Sequence, residues 1–178
     1  KYPIVQTGMG WVAGPKLVSA SANAGALGIL ASATMDFDQL KTSIAEVKSR
    51  TTKPFGVNLR ADSADVKDRI SLMIDEGIKV ASFAQAPKPD LISRLKDAGV
   101  VVIPSIGAKR HAEKVLEWGV DAVLVQGGEG GGHCGEVTTL VLIPEVLDAI
   151  AEIPGGKDVP VLAAGGIVTG RQMAACVA

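Results

Sequence analysis

The chain is poor in sulfur, in aromatic rings and in histidine. Its 178 residues include two cysteines, two histidines and only 3% aromatic side chains. Cys134 and Cys176 cannot build a disulfide framework, and so low a cysteine content suits a reducing cytosol. Scarce aromatics remove the stacking platforms that single-stranded nucleic acid uses. The 18 basic and 19 acidic residues are evenly spread and leave no basic stripe for a phosphate backbone. No His or Cys cluster has the spacing of a metal site. No secretory signal opens the sequence, which begins at Lys1. Although 47% of the residues are hydrophobic and mean hydropathy is +0.30, no apolar run approaches the ~20 residues of a membrane helix. The expectation is a cytoplasmic protein that engages neither membrane nor nucleic acid.

What the chain has instead is a series of short apolar runs bounded by Gly, Pro or charge, as strands covered on both faces require. Seven can be read: Pro3–Thr7, Leu27–Ser32, Pro54–Leu59, Lys79–Ala84, Val100–Ser105, Asp121–Gln126 and Pro160–Gly165. Each opens about 20–27 residues after the last, except the final one, 39 on. Amphipathic helical stretches lie between them. Asp36–Arg50 aligns Leu40, Ile44 and Val47; Ala64–Glu76 aligns Val66, Ile70 and Met73; Lys109–Trp118 aligns Ala112, Val115 and Leu116. Glu76-Gly77, Ala98-Gly99 and Trp118-Gly119 place glycine where helices end.

Such βαβα alternation predicts the α/β class, a parallel sheet with helices outside. A doubly wound sheet is the alternative, but nearly equal units without a break favour a (β/α)8 TIM barrel forming a single domain over residues 1–178. That barrel has eight strands and usually ~250 residues. The pattern here ends at Arg171–Ala178, in the helix after strand seven, so the barrel reads as truncated after the seventh strand and incomplete at the C-terminus. Two unpaired edges would result, which favour homo-oligomer formation.

Active sites of such barrels lie at the C-terminal ends of the strands. Four segments in those positions carry chemistry. Gln6-Thr7-Gly8-Met9-Gly10-Trp11 offers backbone amides unshielded by Cβ, with Met9 able to rest on a flat ring; an ordinary tight turn explains it equally well. Asn58 closes an apolar strand with an amide that both donates and accepts, suited to a heterocycle edge or to capping a loop. In the run from Gln126 to Gly135, five of the six residues 127–132 are glycine. Each is costly to order, which makes sense if the backbone wraps closely round a ligand. Within it His133 can exchange a proton near neutral pH, whereas His111 falls in an outer helix. Cys134 lacks a patterned base to activate it, and Glu129 offers a second acid–base group but reads rather as a solvated loop carboxylate. Finally, Val161–Ile167 ends in Gly165-Gly166 before a helix start, a shape that receives phosphate, and barrels commonly hold phosphate after strands seven and eight.

Taken together, "PIVQTGMGWVAGPKLVSASANAGALGILASATM", "KPFGVNLRAD", "VQGGEGGGHCGEVTTLVLIPEVLDAI" and "VPVLAAGGIVTGRQMAA" resemble the nitronate monooxygenase (2-nitropropane dioxygenase) family, over essentially the whole chain. The resemblance implies FMN at the barrel mouth. It places Gly8, Met9 and Gly10 along the isoalloxazine and Asn58 and Gln126 at its polar edge. Gly131, Gly132 and Ala164 belong to the cofactor-binding set, and Gly165 with Gly166 hold part of the phosphate. It also implies that His133 is the catalytic base, taking an α-proton from a nitroalkane or nitronate whose electrons pass to flavin and then oxygen. The wording from "VQTGMGWVAG" to "VIPSIGA" is similar to the branch that includes enoyl-thioester reductases and actinobacterial steroid-ring-degrading oxidoreductases. That branch implies an alternative, a dehydrogenase or reductase of a CoA thioester. From the residues alone, a flavin-free phosphate-binding lyase or isomerase using His133 also remains open.

Overall fold

The computed structural model describes residues 3–177. Strands and helices alternate throughout: β1 (Val5–Gln6), α1 (Pro15–Ala24), β2 (Leu27–Ala31), α2 (Phe37–Arg50), β3 (Gly56–Leu59), α3 (Val66–Asp75), β4 (Val80–Phe83), α4 (Pro89–Asp97), β5 (Val101–Ile106), α5 (Lys109–Glu117), β6 (Val123–Gln126), α6 (Thr139–Ala151), β7 (Val161–Ala164) and α7 (Gly170–Val177). A short 3-10 turn, Gly156–Asp158, precedes β7. All seven expected strands are present, and their order is sequential, β1 through β7. A doubly wound sheet reverses its strand order at a switch point. The sequential parallel order therefore excludes that alternative and assigns the (β/α)8 barrel class, with seven of its strands among the described residues.

The chain forms two compact units, Lys1–Ile103 and Pro104–Ala178. In the first, β1 pairs with β2, β2 with β3 and β3 with β4, all parallel. Every residue of β3 and β4 is buried, as expected for strands covered on both faces. The helices bury the faces that periodicity predicts: Leu40, Ile44 and Val47 of α2 and Ile70 and Met73 of α3 are inaccessible to solvent. Gly28 lets α1 sit directly on β2, because a Cβ there would lie 2.5 Å from the Val18 carbonyl oxygen. The second unit pairs β5 with β6 and β6 with β7, also parallel. Val123 and Val125 of β6, Ala112 and Val115 of α5 and Leu142, Val146 and Ala149 of α6 are buried in its core. Gly77, Gly99 and Gly119 close their helices at φ of +68°, +69° and +74°, the left-handed conformation anticipated for them.

Helix α2 begins with a capping box. The Asp36 carboxylate accepts from the Gln39 amide at 2.8 Å, and the Gln39 side chain accepts from the Asp36 amide at 3.0 Å. Asp36→Ala is expected to cost about 1 kcal/mol, read as a lowered denaturation midpoint at unchanged slope.

Candidate functional site

The residues singled out by sequence all fall at the C-terminal ends of strands or in the loops that follow. In the first unit, β1 delivers Gln6 and the turn after it. The turn is tight: the Met9 amide donates to Thr7 O at 2.9 Å, and the Val12 and Ala13 amides both donate to Met9 O. Met9 and Gly10 are exposed. Trp11, at φ +65°, is the single non-glycine residue in the left-handed region among the described residues. Asn58 lies buried on β3, level with Ser82 of β4, to whose hydroxyl its amide donates at 3.4 Å. Gly8 and Asn58 are brought into contact, since a Cβ on Gly8 would stand 2.3 Å from the Asn58 Cβ. Glycine at position 8 is therefore required by the close approach of the turn to Asn58.

Gln6 is a site residue that the sequence reading did not separate from its neighbours. Its carboxamide nitrogen donates to the Thr7 and Ile29 carbonyls, yet its Oε1 is buried without a partner among the described residues. A buried acceptor left unmatched carries a desolvation cost and is a place for a ligand's N–H. The available signal was a polar residue at the end of an apolar strand, the same one that marked Asn58.

In the second unit the glycine-rich loop after β6 is pinned at several points. The Gly128 amide donates to Val137 O at 2.8 Å, and the Gln126 carboxamide donates to Gly131 O at 2.7 Å. Gly135 lies against Gly107 after β5, where a Cβ would fall 2.3 Å from the Gly107 carbonyl oxygen. His133 sits between these anchors, exposed, with Gly132 before it at φ +75°. Its imidazole has no hydrogen-bonding partner among the described residues. Cys134 is a free, exposed thiol.

The glycines of this loop have different reasons to be glycine. Cβ atoms at Gly127 and Gly130 would come within 2.2 Å of the Thr139 hydroxyl oxygen and 2.6 Å of the Gln126 amide nitrogen, so the chain's own packing demands them. Gly131 has open space around it and no left-handed φ. Neither packing nor backbone conformation requires glycine there.

Glu129 is exposed but not merely solvated. One carboxylate oxygen accepts from both the amide and the hydroxyl of Thr139, each at 2.8 Å. Those two bonds, the amide's foremost, hold its carboxyl below the usual range. Beyond β7, Gly165 and Gly166 adopt φ of +103° and +69°. Gln172 then caps α7: its Oε1 accepts from the Val168 and Thr169 amides at 2.9 Å, and its nitrogen donates to Gly166 O at 2.8 Å. The Thr169-x-x-Gln172 spacing is a capping-box signature that was legible in the sequence.

A sequential parallel sheet with a glycine-bearing loop after β1, β6 and β7 defines the (β/α) barrel class, in which strand-end loops carry the functional groups. The model of the nitronate monooxygenase family matches residues 1–71 and 65–178, and the chain belongs to that family of oxidoreductases. Over 98% of its length it is 65% identical to the (3aS,4S,5R,7aS)-5-hydroxy-7a-methyl-1-oxo-octahydro-1H-indene-4-carboxyl-CoA dehydrogenase of Mycobacterium tuberculosis, covering 48% of that protein. Among solved structures, FabK from Thermotoga maritima matches with a TM-score of 0.90 at 40% identity, over 99% of this chain and 54% of that one. A nitroalkane oxidase from Streptomyces ansochromogenes matches at 0.86 and 30% identity, over 98% and 61%. The chain thus spans about half the length of such curated relatives. No helix among the described residues is long and apolar enough to cross a membrane.

Proposed function

We propose that the protein is an FMN-dependent dehydrogenase of a CoA thioester with a bulky alicyclic acyl group. The observation that carries this reading is the 65% identity to the octahydroindene-carboxyl-CoA dehydrogenase. Likeness to the nitroalkane oxidase is far lower, at 30%. The sequence expectation put nitronate oxidation first and the thioester second; the relatives weight them in the opposite order.

The residues present fit a flavin mononucleotide. Gln6 keeps a buried acceptor unmatched, Gly131 keeps open space, and Gly165-Gly166 form a left-handed turn before a capped helix. In the first unit Gly8, Met9, Gly10 and Asn58 would contact the isoalloxazine. In the second, Gln126, Gly131, Gly132 and Ala164 would line the cofactor, and Gly165 and Gly166 would receive part of its phosphate. FMN, when bound, supplies a two-electron acceptor. The protein's share is placement and proton transfer. A thioester carbonyl acidifies the adjacent C–H, and His133 would take that proton, with FMN as the acceptor that the hydride equivalent of the neighbouring carbon would require.

The test uses the full-length protein loaded with FMN. Anaerobic mixing with alicyclic acyl-CoA thioesters is expected to bleach the flavin bands, with nitroalkanes and nitronates far slower. Bleaching by nitronate while every thioester is inert would return the function to nitronate oxidation. A colourless protein that takes up no added FMN would refute the flavin reading altogether.

A further inference from the structure

The loop that carries His133 and the turn that ends β7 are separate in sequence, and a ligand touching both needs them held in a fixed relation. We propose that Thr139 is the positioning residue that sets this relation, acting with the carboxylate of Glu129. The proposal rests on the reading above, in which Gly165 and Gly166 receive the phosphate of FMN.

The first amides of any helix lack partners within it. At α6 the N-cap residue Thr138 contributes no side-chain bond. The partner comes from the preceding loop instead: Glu129 Oε2 accepts from the Thr139 amide at 2.8 Å. The same oxygen accepts from the Thr139 hydroxyl at 2.8 Å. That hydroxyl also lies 3.0 Å from the Gly165 carbonyl oxygen and 3.5 Å from that of Ala164. A threonine hydroxyl has one proton to give. It is therefore shared between Glu129, on the His133 loop, and Gly165, in the turn after β7. Displacing either acceptor alters the geometry at the other.

Packing reinforces the link. Thr139 is buried. A Cβ would approach its hydroxyl oxygen to 2.2 Å from Gly127 and to 2.7 Å from Gly165, and a Cβ on Gly166 would reach the Glu129 Cβ at 3.1 Å. Three glycines thus close around the Thr139–Glu129 pair, so that neither loop can shift without disturbing it. His133 lies four residues beyond Glu129 on the same loop.

The experiment measures dissociation constants of the full-length protein for FMN and for riboflavin, by quenching of flavin fluorescence. Riboflavin lacks the phosphate and so reports the rest of the site. Thr139→Val is expected to bind FMN at least about tenfold more weakly, the scale of a lost charge-assisted hydrogen bond, with riboflavin affinity unchanged. Thr139→Ser restores the hydroxyl and the FMN affinity. Glu129→Ala should resemble Thr139→Val, and the double variant should be no weaker than Thr139→Val alone, because the two act as one unit. Should Thr139→Val fail to fold, Glu129→Ala, at an exposed side chain, carries the same FMN-to-riboflavin comparison. Wild-type affinity in both single variants, equal losses for FMN and riboflavin, or additive losses in the double variant would overturn the proposal while leaving the cofactor reading intact. A wild-type protein that binds neither flavin refutes the cofactor reading itself.

Discussion

In the full-length, FMN-loaded protein, His133→Ala is expected to slow substrate-dependent bleaching of the flavin by at least ~100-fold, the lower end for a lost general base, while FMN stays bound. The separation of the two effects follows from how the loop is built. His133 is exposed, and its imidazole makes no hydrogen bond among the described residues. The loop is held by other groups: the Gly128 amide on Val137 O, the Gln126 carboxamide on Gly131 O, and the Glu129 carboxylate on Thr139. Truncating the imidazole removes a proton acceptor and leaves every one of these anchors. Stopped-flow bleaching, alongside flavin content of the purified variant, measures both halves. Unchanged bleaching would remove His133 from the mechanism, and loss of FMN together with activity would make it a binding residue instead.

The strand pattern was readable because burial on both faces writes itself as short apolar runs, and the structure mainly trims their ends. The runs opening at Pro3, Pro54 and Pro160 become strands that start at Val5, Gly56 and Val161. Proline lacks the N–H that a ladder requires of a full member. Pro160 still accepts through its carbonyl, from the Val123 amide at 3.0 Å. The 39-residue step before the last run, anomalous in the sequence, holds the glycine loop, α6 and the 3-10 turn. Helical faces were equally plain, since three- and four-residue spacing is local information. The junction at Thr139 was not. Glu129 and Thr139 are ten residues apart with no periodic relation, and Gly165 lies 26 further on; their meeting depends on α6 returning its first turn against the ends of β6 and β7. That contact also corrects the reading of Glu129 as merely solvated. The glycine run, too, said less about a ligand than its composition implied. Gly127, Gly130 and Gly135 answer to neighbouring atoms of the chain, and only some of the rest are left to a cofactor.

The demand at Gly127 is severe enough to test directly. A methyl group there would stand 2.2 Å from the Thr139 hydroxyl oxygen, 2.4 Å from its amide nitrogen and 2.5 Å from its Cα. Two of those three atoms are backbone at the first turn of α6, so no side-chain rotation can clear the space. The strand cannot yield either, because the Gly127 amide donates to Ala164 O at 3.1 Å and continues the ladder between β6 and β7. Gly127→Ala must therefore push α6 away from the strand end. Overpacking of this kind costs about 3 kcal/mol or more, which for a chain of this size lowers the melting temperature by roughly 6 °C or more. Gly131→Ala is the matched control: its methyl meets nothing within 4 Å, at a backbone angle any residue accepts. It should leave stability within about 0.5 kcal/mol of the parent, and any effect it has should fall on flavin affinity. Scanning calorimetry of the two variants side by side decides the matter. Equal melting temperatures would mean that α6 does not rest on Gly127. A loss at Gly127 alone would show that one glycine of the run serves the fold and the other is free to serve the ligand.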